Sequence, residues 1–97
     1  MQFEWDDGKA RRNLQKHGIS FIQAITAFDD PFALMAPDDK HSGAGEMREW
    51  LIGESDDGVL VVVFTRRREG RVYRIISARQ ANQRERKRYE EFKRVSL

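Results

Sequence analysis

The stretch MREWLIGESDDGVLVVVFTRRREGRVYRIISA, residues 47–78, decides the fold. It holds three segments rich in β-branched and aromatic residues, Met47–Glu54, Val59–Arg66 and Arg71–Ala78, separated by Asp56-Asp57-Gly58 and Arg68-Glu69-Gly70. Each separator ends in glycine, which adopts the left-handed backbone of a tight turn at no steric cost, so the spacing predicts an antiparallel meander. Val59-Leu60-Val61-Val62-Val63-Phe64 is apolar at every position. Side chains alternate across a strand, so this one predicts a central strand covered on both faces. In the next strand, plain alternation puts Val72, Arg74, Ile76 and Ala78 on one face and Tyr73 and Ile75 on the other.

Reading outward, Phe3-Glu4-Trp5 predicts a short first strand. Asp6 is placed to cap a helix running to Lys16, and Gly18 supplies its left-handed stop. Ala10, Leu14 and His17 share one stripe of that helix, with Asn13 beside them. Ser20 caps a second helix whose apolar face is Phe21, Ala24, Ile25 and Phe28, and Asp29-Asp30-Pro31 ends it. Phe32 to Ala36 predicts a strand, followed by a polar loop from Pro37 to Gly45. Gln80 to Arg94 reads as a strongly charged helix. The order β, α, α, β, β, β, β, α predicts one α+β domain spanning 1–97, an antiparallel sheet with two N-terminal helices and one C-terminal helix.

Composition narrows the chemistry. With no cysteine among 97 residues, disulfides, thiolate metal sites and thiol nucleophiles are excluded. Such a chain suits a reducing cytosol, and the cytoplasm is the expected compartment. The N-terminal residues lack an apolar signal core, and no stretch approaches the roughly 18 apolar residues of a membrane span. Charge is unevenly placed. Residues 66–97 carry 12 Lys+Arg against 4 Asp+Glu, whereas residues 1–65 carry 6 against 12. A basic C-terminal third on an acidic remainder is the footprint of a polyanion surface, or else simply a solvated basic helix.

On the last helix, Ala81, Glu85, Arg88, Tyr89 and Phe92 fall on one face. Ala81, Tyr89 and Phe92 are expected to be buried, so Glu85 sits beside an apolar stripe and needs a partner. Arg74 and Arg79, just upstream, are the natural ones. The cluster is either a brace fixing helix to sheet or a carboxylate poised beside arginines at a phosphate site, and both can hold together. His17 ends the first helix as a cap or as an acid–base group, with Asn13 one turn before it. Asp29-Asp30 and Asp38-Asp39 read as solvated turns, His41 ranks below His17, and Trp5 and Trp50 read as packing residues. Two histidines with scattered carboxylates match no zinc spacing, and no phosphate-binding glycine loop or serine nucleophile motif is present, so no metal or cofactor is expected.

Taken in order, Phe3-Glu4-Trp5-Asp6 with Lys9, Asn13 and Lys16-His17-Gly18; Ser20-Phe21 with Ala24; Phe28 with Asp30-Pro31; Arg48 with Ile52-Gly53; and Arg74-Ile75-Ile76-Ser77-Ala78-Arg79 with Ala81, Glu85 and Tyr89 resemble the BrnT toxin family. That resemblance implies a RelE-like fold and a ribonuclease that stops translation. It further implies a BrnA-like ribbon-helix-helix antitoxin partner, with DNA contacted only through the antitoxin complex. Gly8, early in a helix, and the long Pro37–Gly45 loop depart from the family pattern.

Physics and resemblance meet on metal-independent RNA cleavage, in which a 2′-hydroxyl attacks the adjacent phosphorus. The reaction needs a base, an acid and fixed cations at the phosphate. Arg74 and Arg79 are assigned charge stabilisation, Glu85 or His17 proton transfer, and Tyr89 the orientation of the phosphate or a neighbour. Arg66, Arg67 and Lys16 are assigned to the RNA backbone. Two rivals stand beside this: a module that binds nucleic acid or protein without cutting, and a metal-dependent nuclease.

Overall fold

The computed structural model describes residues 1–43 and 45–97; Ala44, in the expected Pro37–Gly45 loop, lies outside the described residues. The elements are β1 (Gln2–Glu4), α1 (Asp7–His17), α2 (Phe21–Thr26), one turn of 3₁₀ helix (Ala27–Asp29), β2 (Leu34–Pro37), β3 (Arg48–Ser55), β4 (Gly58–Arg67), β5 (Val72–Gln80) and α3 (Gln83–Ser96). The fold is α+β. The five strands form one sheet in the order β1-β5-β4-β3-β2. The meander β3–β4–β5 is antiparallel as expected, but β1 runs parallel to β5, so the sheet is mixed rather than antiparallel. A three-residue strand carries no signal for direction. Its orientation follows from the crossover that α1, α2 and the meander make before β5 returns beside it.

Strand β4 is buried on both faces, which divides the molecule into two layers. Leu60, Val62 and Phe64 face a core shared with Phe21 and Ala24 of α2, Ile19, and Ile75 and Ala78 of β5. Val59 and Val61 face a second cluster with Ile52, Ala81 and Tyr89. The first layer is roofed by α1 and α2, the second partly by α3.

The strand β5 departs from plain alternation. Val63 pairs with Ser77 but Phe64 pairs with Ile75, so Ile76 is an extra residue in a β-bulge. Ile75 and Ala78, three apart, both point into the first core. On the other face, Arg74, Ser77 and Arg79 stand opposite Thr65, Val63 and Val61, which alternate along one side of β4. The bulge therefore puts Arg74 and Arg79 on one face, which an even–odd pair on a regular strand never shares.

Helix α1 turns a polar residue inward. Leu14 is 50% exposed while Asn13 is buried. Strand β1 pairs with β5 only as far as Arg74, so the outer edge of β5 beyond that point has no strand partner. The Asn13 amide takes its place: Nδ2 donates to the carbonyls of Ala78 (2.8 Å) and Ile19 (2.9 Å), and Oδ1 accepts from the Ala78 N–H at 3.0 Å. Asn13 thus serves β5, not His17. One further close approach fixes the layer. A Cβ on Gly53 would lie 2.8 Å from the Ala27 carbonyl, so only glycine lets β3 pass beneath the 3₁₀ turn.

Replacing Asn13 by alanine strands two carbonyls and an N–H in a buried place, an expected loss of about 1–3 kcal/mol. Leu14→Ala, on the exposed side, should change stability by less than about 0.5 kcal/mol. Urea unfolding of the two variants distinguishes this arrangement from a helix packed on its Leu14 stripe.

Candidate nucleic-acid cleft

Helix α3 is fastened to the sheet by two polar contacts. At its start, the Asn82 side chain accepts from the Glu85 N–H (2.8 Å) and the Glu85 carboxylate accepts from the Asn82 N–H (2.9 Å), a reciprocal capping box. The same carboxylate binds Arg79 through both oxygens, Nη1 to Oε1 at 2.7 Å and Nη2 to Oε2 at 2.9 Å. One turn further on, the buried Tyr89 hydroxyl donates to Asp30. Asp30 also accepts from the N–H groups of Phe32 (2.9 Å) and Glu54 (2.8 Å). It is a three-way junction rather than a solvated turn residue.

These contacts set the charges. Hydrogen bonds from Arg79, opposed by partial burial and reinforced by the Asn82 N–H, hold the Glu85 carboxyl below the usual carboxylate range. Partial burial works to raise Asp30, but the donors from Glu54, Tyr89 and Phe32 outweigh it and hold that carboxyl low as well. Desolvation and the neighbouring Asp30 push the Tyr89 hydroxyl well above the usual tyrosine range. Near neutral pH both carboxylates are ionised and the phenol is not.

Between α3 and the uncovered part of the sheet lies a cleft of about 430 Å³. Its floor is Trp50 and Ile52 of β3, Val61 and Val63 of β4, and Ser77 and Arg79 of β5. Arg84, Glu85 and Arg88 of α3 form one wall, and Asp38 and His41 of the β2–β3 connection form another. Arg88 stacks over Trp50, its guanidinium 5.8 Å from the ring centroid. Among the described residues, neither Arg84 nor Arg88 has a carboxylate within salt-bridge distance, whereas other arginines of the sheet are neutralised. Arg48 pairs with Glu46, Arg66 with Glu49 and Arg74 with Glu4. The cleft therefore brings three arginines, two of them unpaired, and two carboxylates together over an aromatic and aliphatic floor, a setting suited to a phosphate-bearing ligand.

The sequence-derived residues fall into distinct places. Arg79 and Glu85 meet in the cleft. Arg74 lies on the same face but outside the cleft, its Nη1 2.7 Å from Glu4. Tyr89 faces Asp30 under α3 and does not line the cleft. Lys16 and His17 end α1, which packs on the opposite layer. Arg66 is held by Glu49 at 2.7 Å and lies 5.1 Å over the Tyr73 ring, also on the α1–α2 side, while Arg67 reaches Glu4 only at 3.9 Å. Phe92, expected to be buried, is 39% exposed.

Five further residues line the cleft: Asp38, which reads as a solvated turn in the sequence, His41, ranked below His17, Trp50, read as packing, and Ser77 and Arg84, which carry no site signal of their own. Asp38 is buried, not solvated, and its carboxylate accepts from His41 Nδ1 at 2.9 Å. The one available signal was the spacing of Arg84 and Arg88, four apart on one helix face with Glu85 between them. Among the described residues no three His, Asp or Glu side chains converge to hold a metal ion, and no helix is long and apolar enough to cross a membrane.

A family model described as the ribonuclease toxin BrnT of type II toxin–antitoxin systems matches residues 5–85. The match takes in all three strands of the cleft floor, the Asp38–His41 wall, and α3 as far as Glu85. No curated protein matches the chain.

Asp30 and Glu85, two of the three carboxyls held low (Asp6, at the α1 cap, is the third), link the stability of the fold to pH. Their contribution is fully present above the ordinary carboxyl pKa of about 4 and is lost as pH falls through the lower folded values. Urea midpoints measured from pH 6 downward should fall steeply below about pH 4 in the wild type. In Asp30→Asn and Glu85→Gln proteins, already less stable at pH 6, that fall should be shallower.

Proposed function

The chain belongs to the BrnT family of ribonuclease toxins of type II toxin–antitoxin systems, and from that premise we propose that it cuts RNA in the cleft beneath α3. The ribose 2′-hydroxyl attacks the adjacent phosphorus, the bond to the 5′-oxygen breaks, and no metal ion takes part. The observation that carries this reading is Arg79, fixed bidentately by Glu85 in a cleft where Arg84 and Arg88 bring two uncompensated positive charges.

Negative charge grows on the phosphoryl oxygens as the new bond forms. A guanidinium already held in place stabilises that charge without reorganising; with its Nη1–Nη2 edge on Glu85, its remaining edge, Nε–H and the second Nη2–H, can meet two phosphate oxygens. Arg79 is suited to this role. Glu85, ionised and with both oxygens on Arg79, positions that group and is a poor proton acceptor. Arg84 and Arg88 draw the phosphate backbone into the cleft, and Trp50 offers a flat apolar surface beside it. Arg74, bound to Glu4 on the same face, and Arg67, toward the hairpin tip, lie outside the cleft and are answered by that carboxylate. Lys16, His17 and Arg66 lie on the other layer and serve no step here.

Cleavage of RNA in the cytoplasm arrests translation in this reading. The antitoxin is a BrnA-like ribbon-helix-helix protein, which alone contacts operator DNA in the joint complex.

Arg79→Ala should lower the rate of RNA cleavage roughly 100- to 1,000-fold while the protein stays folded. The products of the wild type should carry 2′,3′-cyclic or 3′-phosphate ends, and EDTA should leave the rate unchanged. Products with 3′-hydroxyl ends, or a folded Arg79→Ala protein that cuts normally, sink the assignment. Binding of RNA without any cutting would identify the chain as a non-catalytic module. Growth arrest on induction, relieved by a co-expressed ribbon-helix-helix gene from the adjacent reading frame, tests the partner.

A further inference from the structure

Cleavage by a 2′-hydroxyl needs a group to take its proton, and the residues expected from the sequence do not supply one in the cleft. Glu85 is held ionised, with both oxygens on Arg79. Tyr89 is buried against Asp30, and its proton is held more tightly than in water. His17 ends α1, which packs on the other side of the sheet. Among the described residues, the titratable side chains that line the cleft besides its arginines and Glu85 are Asp38 and His41.

Those two are arranged as an oriented pair. His41 Nδ1 lies 2.9 Å from Asp38 Oδ2, and the side chains are 58% and 11% exposed respectively. Asp38 is itself anchored. Its N–H donates to the Arg48 carbonyl at 2.7 Å, and its own carbonyl accepts from the Ser42 hydroxyl at 2.8 Å. A carboxylate on one imidazole nitrogen fixes the tautomer that carries its proton there and leaves the other nitrogen with a free lone pair. The half-exposed imidazole thus stands at the cleft rim with Nε2 uncommitted, on a carboxylate held in place by the backbone of the β2–β3 connection.

Resting on the cleft reading above, we infer that His41 is the general base of this ribonuclease and that Asp38 is its positioning residue. His41 Nε2 takes the 2′-hydroxyl proton as the bond from the 2′-oxygen to phosphorus forms and the bond to the 5′-oxygen breaks. The departing 5′-oxygen takes a proton from water, and the imidazolium returns its own to solvent. Asp38 stabilises the imidazolium while it lasts, and Arg79 stabilises the phosphoryl charge. The charged groups facing His41 in the cleft are Asp38, Arg79, Arg84, Glu85 and Arg88.

The test is RNA cleavage by the full chain as a function of pH. His41→Ala should cut roughly 100 to 10,000 times more slowly. The rise in rate between about pH 5 and 8 that a histidine base produces should vanish with it. Added imidazole should restore part of the rate in proportion to its concentration, an effect that loss of a merely structural contact would not show. Asp38→Asn should lose less than His41→Ala and shift the pH profile; thermal melting shows whether that variant is folded. If wild type cuts RNA while folded His41→Ala cuts at the same rate with the same profile, this inference falls and the cleft reading stands. Loss of rate without imidazole rescue and without a change of profile also overturns it. A wild type that binds but never cuts RNA removes both.

Discussion

One carboxylate, Asp30, sets where the last helix lies. It accepts from the Phe32 and Glu54 N–H groups and from the Tyr89 hydroxyl, so it ties the turn after α2, the end of β3 and the middle of α3 to a single point. Helix α3 has little apolar surface with which to find its own place. Tyr89 is its only buried residue, and Phe92, Val95 and Leu97 beyond it are exposed. Hydrophobic burial therefore cannot fix its angle, and directional bonds do so. A hydrogen bond to a charged group contributes about 1.5–3 kcal/mol, several times an exposed ion pair. With Tyr89 on Asp30 and Glu85 on Arg79, the helix is held across one end of β5, β4 and β3. The remaining floor, from Trp50 to Ser77, stays open because nothing apolar draws the helix across it.

Pairing then decides which arginines matter. The basic C-terminal third suggests a broad cationic surface, and on the sheet, though not along α3, its arginines are answered locally by carboxylates. Glu4, Glu46 and Glu49 each take an arginine from the sheet. Ion pairs this exposed add little to stability. Arg84 and Arg88, without such partners, stand in the same cleft as Arg79, whose carboxylate partner Glu85 shares the cleft wall with them. A phosphate entering there meets cations already oriented and displaces no carboxylate from Arg84 or Arg88.

Local patterns carried much of this architecture in the sequence. The meander showed through its glycine-ended turns and through β4, whose unbroken apolar run demanded cover on both faces. Asp6, Gly18 and Ser20 punctuated the first two helices where they were expected, because caps act within four residues. What stayed hidden acts at a distance. Asp30 looked like a turn residue since its partners are 24 and 59 positions away. Asp38 and His41 looked like loop polarity because only the fold brings them opposite Arg79. Asn13 looked like a companion of His17, although its real partner is the bare edge of β5, 65 residues on. The parallel setting of β1 was illegible in three residues.

The bulge at Ile76 is where core and site become one problem. A regular β5 would place Ala78 with Arg74 and Ile76, and Arg79 with Tyr73 and Ile75, so the guanidinium would turn toward the α1–α2 core. Burying an arginine there without its carboxylate costs several kcal/mol, far more than one irregular pair in a ladder. The extra residue removes that conflict. It lets Ile75 and Ala78 both fill the first core while Arg74, Ser77 and Arg79 face the second layer. Asn13 then holds the N–H and carbonyl of Ala78, the residue next to Arg79, and fixes the strand edge where the bulge has redirected it. The same irregularity that completes the hydrophobic core thus aims the central cation of the cleft. A change that straightened this strand would unsettle the fold and the phosphate site together.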